Sequence, residues 1–130
     1  MKKCSMTIKL FTFLCLITLA FPVFASSDGA WLKKIPAKDH EKTNPFHEDA
    51  DAVSAGHRVY NDHCSHCHGE NQQGNKKRPP LRSGRIQQEA SEGDLHWLLV
   101  NGSMGHGMPS WAKLGDPQIW QLISFLKSLH

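Results

Sequence analysis

The chain has 130 residues and a formal charge of +3, from 15 Lys and Arg against 12 Asp and Glu, with nine His and four Cys. That length holds one small domain, and no basic stripe with interleaved aromatics runs through it, which excludes nucleic acid as a partner. The excess charge equals the contribution of Lys2, Lys3 and Lys9, all in one N-terminal segment.

Residues 1–25 open with those lysines, continue through the apolar run LFTFLCLITLAF (10–21) and reach Val23-Phe24-Ala25 before Ser26. This is the order of a secretory signal peptide cut after Ala25. The run is short for a membrane span, which takes about 20 residues; retention as an N-terminal anchor is the alternative. Cys15 follows the bulky Phe13 and Leu14, which argues against lipidation. Cleavage removes three lysines, Cys4 and Cys15, leaving 12 basic against 12 acidic groups and two cysteines, Cys64 and Cys67.

Residues 26–48 (SSDGAWLKKIPAKDHEKTNPFHE) are polar and broken by proline, the composition of an extended arm. The compact domain is then 49–130, about 80 residues, a size at which a hydrophobic core alone is marginal. Residues 49–63 predict a helix capped by Asp49 or Asp51, with Val53, Gly56, Val59 and Tyr60 on one face. Gly56 costs about 1 kcal/mol against Ala in an exposed helix, so it predicts a tight helix crossing.

Cys64 and Cys67 then stand three apart, with His68 directly after. A disulfide between them would close a tiny loop and constrain the unfolded chain little. A redox dithiol expects a βαβ setting, and no strand-rich stretch precedes Cys64. A structural zinc site expects a second ligand pair at short spacing, whereas His96, His106 and His130 are scattered. C-x-x-C-H is the attachment pattern of a c-type haem. Two thiols one helical turn apart reach the two vinyl groups, and the next residue, His68, lies under the iron as proximal ligand. His63 and His66 are expected at the surface.

Residues 69–88 predict a loop, with five basic residues, Lys76, Lys77, Arg78, Arg82 and Arg85. They read as a solvated face, with propionate contacts or docking of an acidic partner as the functional readings. Residues 91–101 predict a helix with a capping box from Ser91 and Asp94 and a stop at Asn101-Gly102. Residues 102–115 must be loop, given four glycines and Pro109. Residues 116–129 predict the clearest helix, capped by Asp116 with Pro117 at its first position and an Ile119, Leu122, Ile123, Leu126 stripe.

The loop at 102–115 also holds the candidates for a sixth iron ligand: Met108, with Met104 and His106 as alternatives. Met108 precedes Pro109, whose fixed φ stiffens the loop, and a thioether stabilises ferrous iron and raises the potential. A bis-His site through His106 would lower it. Packing against the cofactor edge is the plain reading of a lone methionine.

The ordered set G-H-R-V-Y before C-S-H-C-H-G, R-P-P-L, G-M-P-S-W and W-Q-L-I-S-F-L-K-S-L spans residues 53–129 and resembles the class I c-type cytochromes, bacterial and monohaem. The resemblance implies an all-α fold of helices and long loops wrapped around one covalent haem c. It implies that Gly56 and Tyr60 cross against Leu122 and Phe125, and that the carbonyl of Pro79, or less favourably Pro80, accepts from the Nδ1–H of His68. Arg85 resembles the family's propionate partner; Trp97 is a second candidate through its indole N–H or else a core residue, and Trp111 a shield for the ligand loop.

The implied function is a monomeric, periplasmic, one-electron carrier rather than an enzyme. It would run in a respiratory chain between a dehydrogenase and a terminal oxidase or another cytochrome, with a membrane contact only if residues 1–25 are retained. A haem enzyme (peroxidase-like or a small-molecule reductase) and a haem-based sensor are the alternatives. The arm W-L-K-K-I-P…K-T-N-P-F resembles leaders on cytochromes that serve periplasmic quinoprotein or flavoprotein dehydrogenases.

Overall fold

A computed structural model of the protein describes residues 31–129; residues 1–25, expected to form a signal peptide, lie outside the described residues. Among the described residues six α-helices follow in order: α1 (Ala37–His40), α2 (Ala50–His63), α3 (Ser65–His68), α4 (Arg85–Gln88), α5 (Glu92–Asn101) and α6 (Asp116–Lys127). Single 3₁₀ turns stand at Leu32–Lys34, Met104–His106 and Ala112–Leu114. Among the described residues there is no strand, only two isolated bridges, Asn75 with Arg78 and Ser103 with Met108. None of the described helices is long and apolar enough to cross a membrane.

The frame is the crossing of α2 and α6. Asp49 caps α2, its Oδ1 accepting from the backbone N–H of Asp51 at 2.9 Å and of Ala52 at 3.1 Å. Gly56 then meets the backbone of α6 directly: a Cβ there would sit 1.9 Å from the carbonyl oxygen of Gln121 and 2.9 Å from the nitrogen of Leu122. No side chain fits, so the expected tight crossing is present and glycine is what allows it. One turn on, Tyr60 is fully buried with its ring 5.4 Å from that of Phe125. Ile119, Leu122 and Ile123 complete the innermost layer.

Helix α5 packs on the other side of α6, with His96 stacked on Trp120 at 4.3 Å between ring centroids. Its capping box is formed: the Asp94 N–H donates to Ser91 Oγ at 3.1 Å and the Ser91 N–H to Asp94 Oδ2 at 2.8 Å. It stops at Gly102, whose φ is +70° and whose N–H donates to Leu98 O at 2.7 Å.

Three local expectations are corrected. Asp116 is the first residue of α6 and not its cap; that position falls to Gly115, and the Asp116 carboxylate lies 3.1 Å from His96 Nε2. The stretch 69–88 is not loop throughout, because α4 occupies its end, with Ile86 buried. The segment 31–48 is not an extended arm. Trp31, Asp39 and Asn44 are buried. Asn44 Nδ2 donates to Trp120 O at 3.2 Å and to Ser124 Oγ at 2.9 Å, while Ser124 Oγ lies 2.9 Å from Phe46 O. Against α5, the chain runs so close that a Cβ on Gly93 would meet Asp39 O at 2.1 Å. Polar composition hid this strap because its anchors are single residues bonded to α6 rather than an apolar stripe.

Candidate functional site

Behind the α2–α6 crossing lies an apolar cleft, partly open to solvent. Its walls include Leu81, Ile86, Leu95, Leu99, Leu122 and Leu126, and Trp31 from the strap. The chemistry-bearing side chains enter from two lips.

The first lip continues α2. The N–H of Cys64 donates to Tyr60 O at 2.8 Å and so closes the helix, and the N–H of His68 donates back to Cys64 O at 2.9 Å, forming the single turn α3. Cys64 is half-buried on the cleft wall and Cys67, one turn away, is exposed; the two thiols are not bonded to each other. Burial first, and the neighbouring Cys67 second, push the Cys64 thiol up to about 12. A redox dithiol needs the opposite shift.

His68 lines the cleft, with its Nδ1 3.3 Å from the carbonyl oxygen of Pro79. A carbonyl only accepts, so Nδ1 carries the proton and Nε2 keeps its lone pair. Burial, with the Arg78 cation adding to it, lowers the His68 pKa against the opposing Pro79 bond. The ring is therefore a neutral, oriented nitrogen donor. The loop behind it folds back to deliver Pro79: the Gly74 N–H donates to His68 O at 2.8 Å, Asn75 and Arg78 exchange backbone bonds, and the Leu81 N–H donates to Gln72 O at 2.9 Å. Tyr60 helps, its hydroxyl donating to Gly69 O at 2.6 Å.

The second lip is the 102–111 loop. Ser103 and Met108 close it by exchanging backbone bonds of 2.8 and 3.1 Å, and the 3₁₀ turn at Met104–His106 fills the ring so formed. Met108 is half-buried and lines the cleft, as does His106, whose Nδ1 lies 3.0 Å from Ser103 Oγ. Met104 is 74% exposed and does not line it. Below, the Trp111 N–H donates to Leu99 O at 2.8 Å, and the Trp111 ring stands 5.4 Å from that of His63.

Of the residues singled out from the sequence, Cys64, His68, Pro79, Met108 and His106 are brought together. Arg85 and Trp97 are not. Arg85 stands on α4, half exposed, its guanidinium 3.5 Å from Glu89, and neither residue lines the cleft. The reason lies in their helices: α4 aims Ile86 inward, which turns Arg85 out, and α5 presents Leu95, Leu98 and Leu99 to the cleft instead of Trp97. Two further residues line the cleft: the sequence set Arg78 only among five basic residues of its loop, and Trp31 only within the arm.

The donor set fits a covalently held haem. It comprises two unbonded thiols one helical turn apart, a neutral imidazole on the same turn, a thioether on the opposite lip and an apolar cleft between. Among the described residues no three His, Cys, Asp or Glu converge to hold a bare metal ion.

Residues 51–126 match the family model described as cytochrome c oxidase, cbb3-type, subunit III. The chain is 35% identical over 88 residues to the cbb3-type cytochrome c oxidase subunit CcoP of Azospirillum brasilense, an alignment covering 62% of this chain and 30% of that protein. It is 29% identical over 104 residues to cytochrome c550 of Pseudomonas aeruginosa, covering 72% of this chain and 69% of that one. The chain thus spans under a third of the oxidase subunit. Among solved structures, the c-type cytochrome XoxG of Methylobacterium extorquens AM1 superposes with a TM-score of 0.51 at 21% identity, over 60% of this chain and 50% of that one. That likeness gives the fold: all-α, of the cytochrome c type.

Proposed function

Because the chain belongs to the cbb3-type cytochrome c oxidase subunit III family, and so to the class I c-type cytochromes, we propose that it is a monohaem one-electron carrier whose His68 and Met108 would both hold the haem iron. The observation that carries this reading is that His68, Met108 and Cys64 line one apolar cleft.

Bound in the cleft, a haem would supply a reversible ferric–ferrous couple. The chain's residues do the rest. Cys64 and Cys67 would hold the group through thioether links. His68, its Nδ1–H engaged by Pro79 O, presents Nε2 in a fixed orientation, which sets ligand basicity. Met108 supplies a soft, neutral donor that favours the reduced state. The leucine walls exclude water, so little rearranges between redox states. The cations of Lys77 and Arg78 mark where the cleft meets solvent, the side at which a partner would make a small, brief contact.

In place, the protein is a monomeric periplasmic carrier exported by residues 1–25. It takes electrons from a dehydrogenase and passes them to a terminal oxidase or another cytochrome. The relation to an oxidase subunit supports the acceptor side, and the relation to cytochrome c550 supports a free carrier.

The test is spectroscopic, on protein purified from a host that matures c-type cytochromes. The mass should rise by one haem, and the ferric protein should show the weak long-wavelength charge-transfer band of methionine ligation. Ferrous protein should bind carbon monoxide slowly or not at all. Rapid carbon monoxide binding would replace this reading with an open-site haem enzyme or sensor.

A further inference from the structure

The side chain of Arg78 reaches from the loop after the haem motif to the loop that bears Met108. Its Nη1 donates to His106 O at 2.5 Å and its Nη2 to Gly107 O at 3.2 Å, spanning 28 and 29 residues of sequence. These are the two carbonyls immediately before Met108. Gly107 lies in the left-handed region with φ +70°, and a Cβ there would come within 3.1 Å of Arg78 Nη2, so the bare backbone lets the guanidinium lie against it. Arg78 forms no ion pair with any described residue; its side-chain hydrogen bonds go to these carbonyls.

The base of this span is fixed. The Arg78 N–H donates to Asn75 O at 3.2 Å and lies 3.1 Å from Asn75 Oδ1, and Arg78 O accepts from the Asn75 N–H at 2.9 Å. Arg78 also directly precedes Pro79, whose carbonyl holds His68. One residue thus joins the segment that orients the proximal donor to the segment that presents the distal one. A planar fork with five donors suits two successive carbonyls, whereas a lysine ammonium is a point charge on a flexible stem.

We propose that Arg78 is a positioning residue for the sixth ligand: it ties the Met108 loop across the cleft to the Pro79 turn and holds the thioether against displacement. The proposal rests on the reading of Met108 as the distal donor. Loss of the tie should raise the fraction of protein in which Met108 has swung away. An external ligand that competes for that position reads this fraction directly, because its apparent affinity scales with the competent population.

The experiment titrates the ferric holoprotein with imidazole and follows the methionine charge-transfer band. Arg78→Met should bind imidazole about tenfold more tightly than the parent, equivalent to about 1.4 kcal/mol, and faster. Arg78→Lys should fall closer to Arg78→Met than to the parent, because charge without the fork does not span both carbonyls. Lys76→Met removes a like charge from the same loop and should leave the titration unchanged. Far-UV circular dichroism checks that each variant is folded, and Arg78→Lys decides the matter if Arg78→Met is not.

Imidazole affinities within twofold of the parent for both Arg78 variants would overturn the proposal. So would a Lys76→Met shift as large as that of Arg78→Met, since bulk charge would then be the cause. A parent protein with no methionine band would overturn the functional reading along with it. A parent with the band and indifferent variants would overturn this inference alone.

Discussion

The two lips of the cleft are built to different standards. The lip carrying Cys64, Cys67 and His68 grows out of α2, whose far face is pressed backbone to backbone on α6 at Gly56. Its donor nitrogen is set by a carbonyl from a loop that is itself bonded back to the motif. The lip carrying Met108 is a loop closed on itself by the Ser103–Met108 pair, with exposed residues from Met104 to Gly107. One donor is therefore carried on secondary structure and the other on a short ring of chain. In a site that must hold iron still, exchange and loosening should start on the loop side.

The harshest way to break the contrast is to remove the stiff lip's purpose. Cys64→Ser with Cys67→Ser should yield a chain without covalent haem and with most of its helical circular dichroism lost, because about 80 residues around an unfilled apolar cleft make a marginal core. A well-folded, colourless double variant would show that the leucine walls suffice alone. Breaking the soft lip is milder. Met108→Ala should leave the haem attached and the helices intact. It should lower the midpoint potential by roughly 200 mV, within the range axial ligands command, and admit imidazole or carbon monoxide. An unchanged spectrum would transfer the role to His106.

A third variant asks whether the stiffness comes from the helix crossing. Gly56→Val forces α2 off Gln121 and should cost about 1–3 kcal/mol by denaturant unfolding, with the methionine band keeping its position. The smallest effect lies on the strap. His47 sits 3.1 Å from Glu92 and 3.7 Å from Glu48, and the Glu92 bond first, then its charge, raise the His47 pKa. A raised pKa in the folded protein stabilises at pH below the unfolded value near 6.5 and fades as the pH climbs through the folded value. His47→Gln should therefore lower the melting temperature by a degree or so at about pH 5.5, the pair being exposed, and not at about pH 8.5. Equal losses at both would assign the effect to packing.

What could be read from the sequence followed from periodicity and local chemistry. Gly56 was legible because a glycine on the apolar face of a helix has few explanations. Ser91 and Asp94 were legible because a capping box is complete within four residues. Asp116 was misread because Asp-Pro marks a helix start without saying which residue adopts the cap's backbone angles; Gly115, at φ +78° and ψ 156°, took that place. Arg85 and Arg78 differ by seven positions, and composition does not say which faces the cleft. The strap was illegible for a related reason. Asn44 is bonded to Trp120 and Ser124, 76 and 80 residues away, and one amide leaves no pattern.

That long reach sets an order of events. A chain made from its N-terminus presents α2 and the haem motif well before α6 exists. Gly56 and the Asn44 side-chain N–H both find their partners in residues 120–124. Until that last stretch arrives, α2 has no helix to cross and the strap has only α5 to pack on, and the two thiols stand in a chain that has not yet closed. Residues near the C-terminus thus work as a late latch, leaving an interval of access to Cys64 that the finished protein no longer offers.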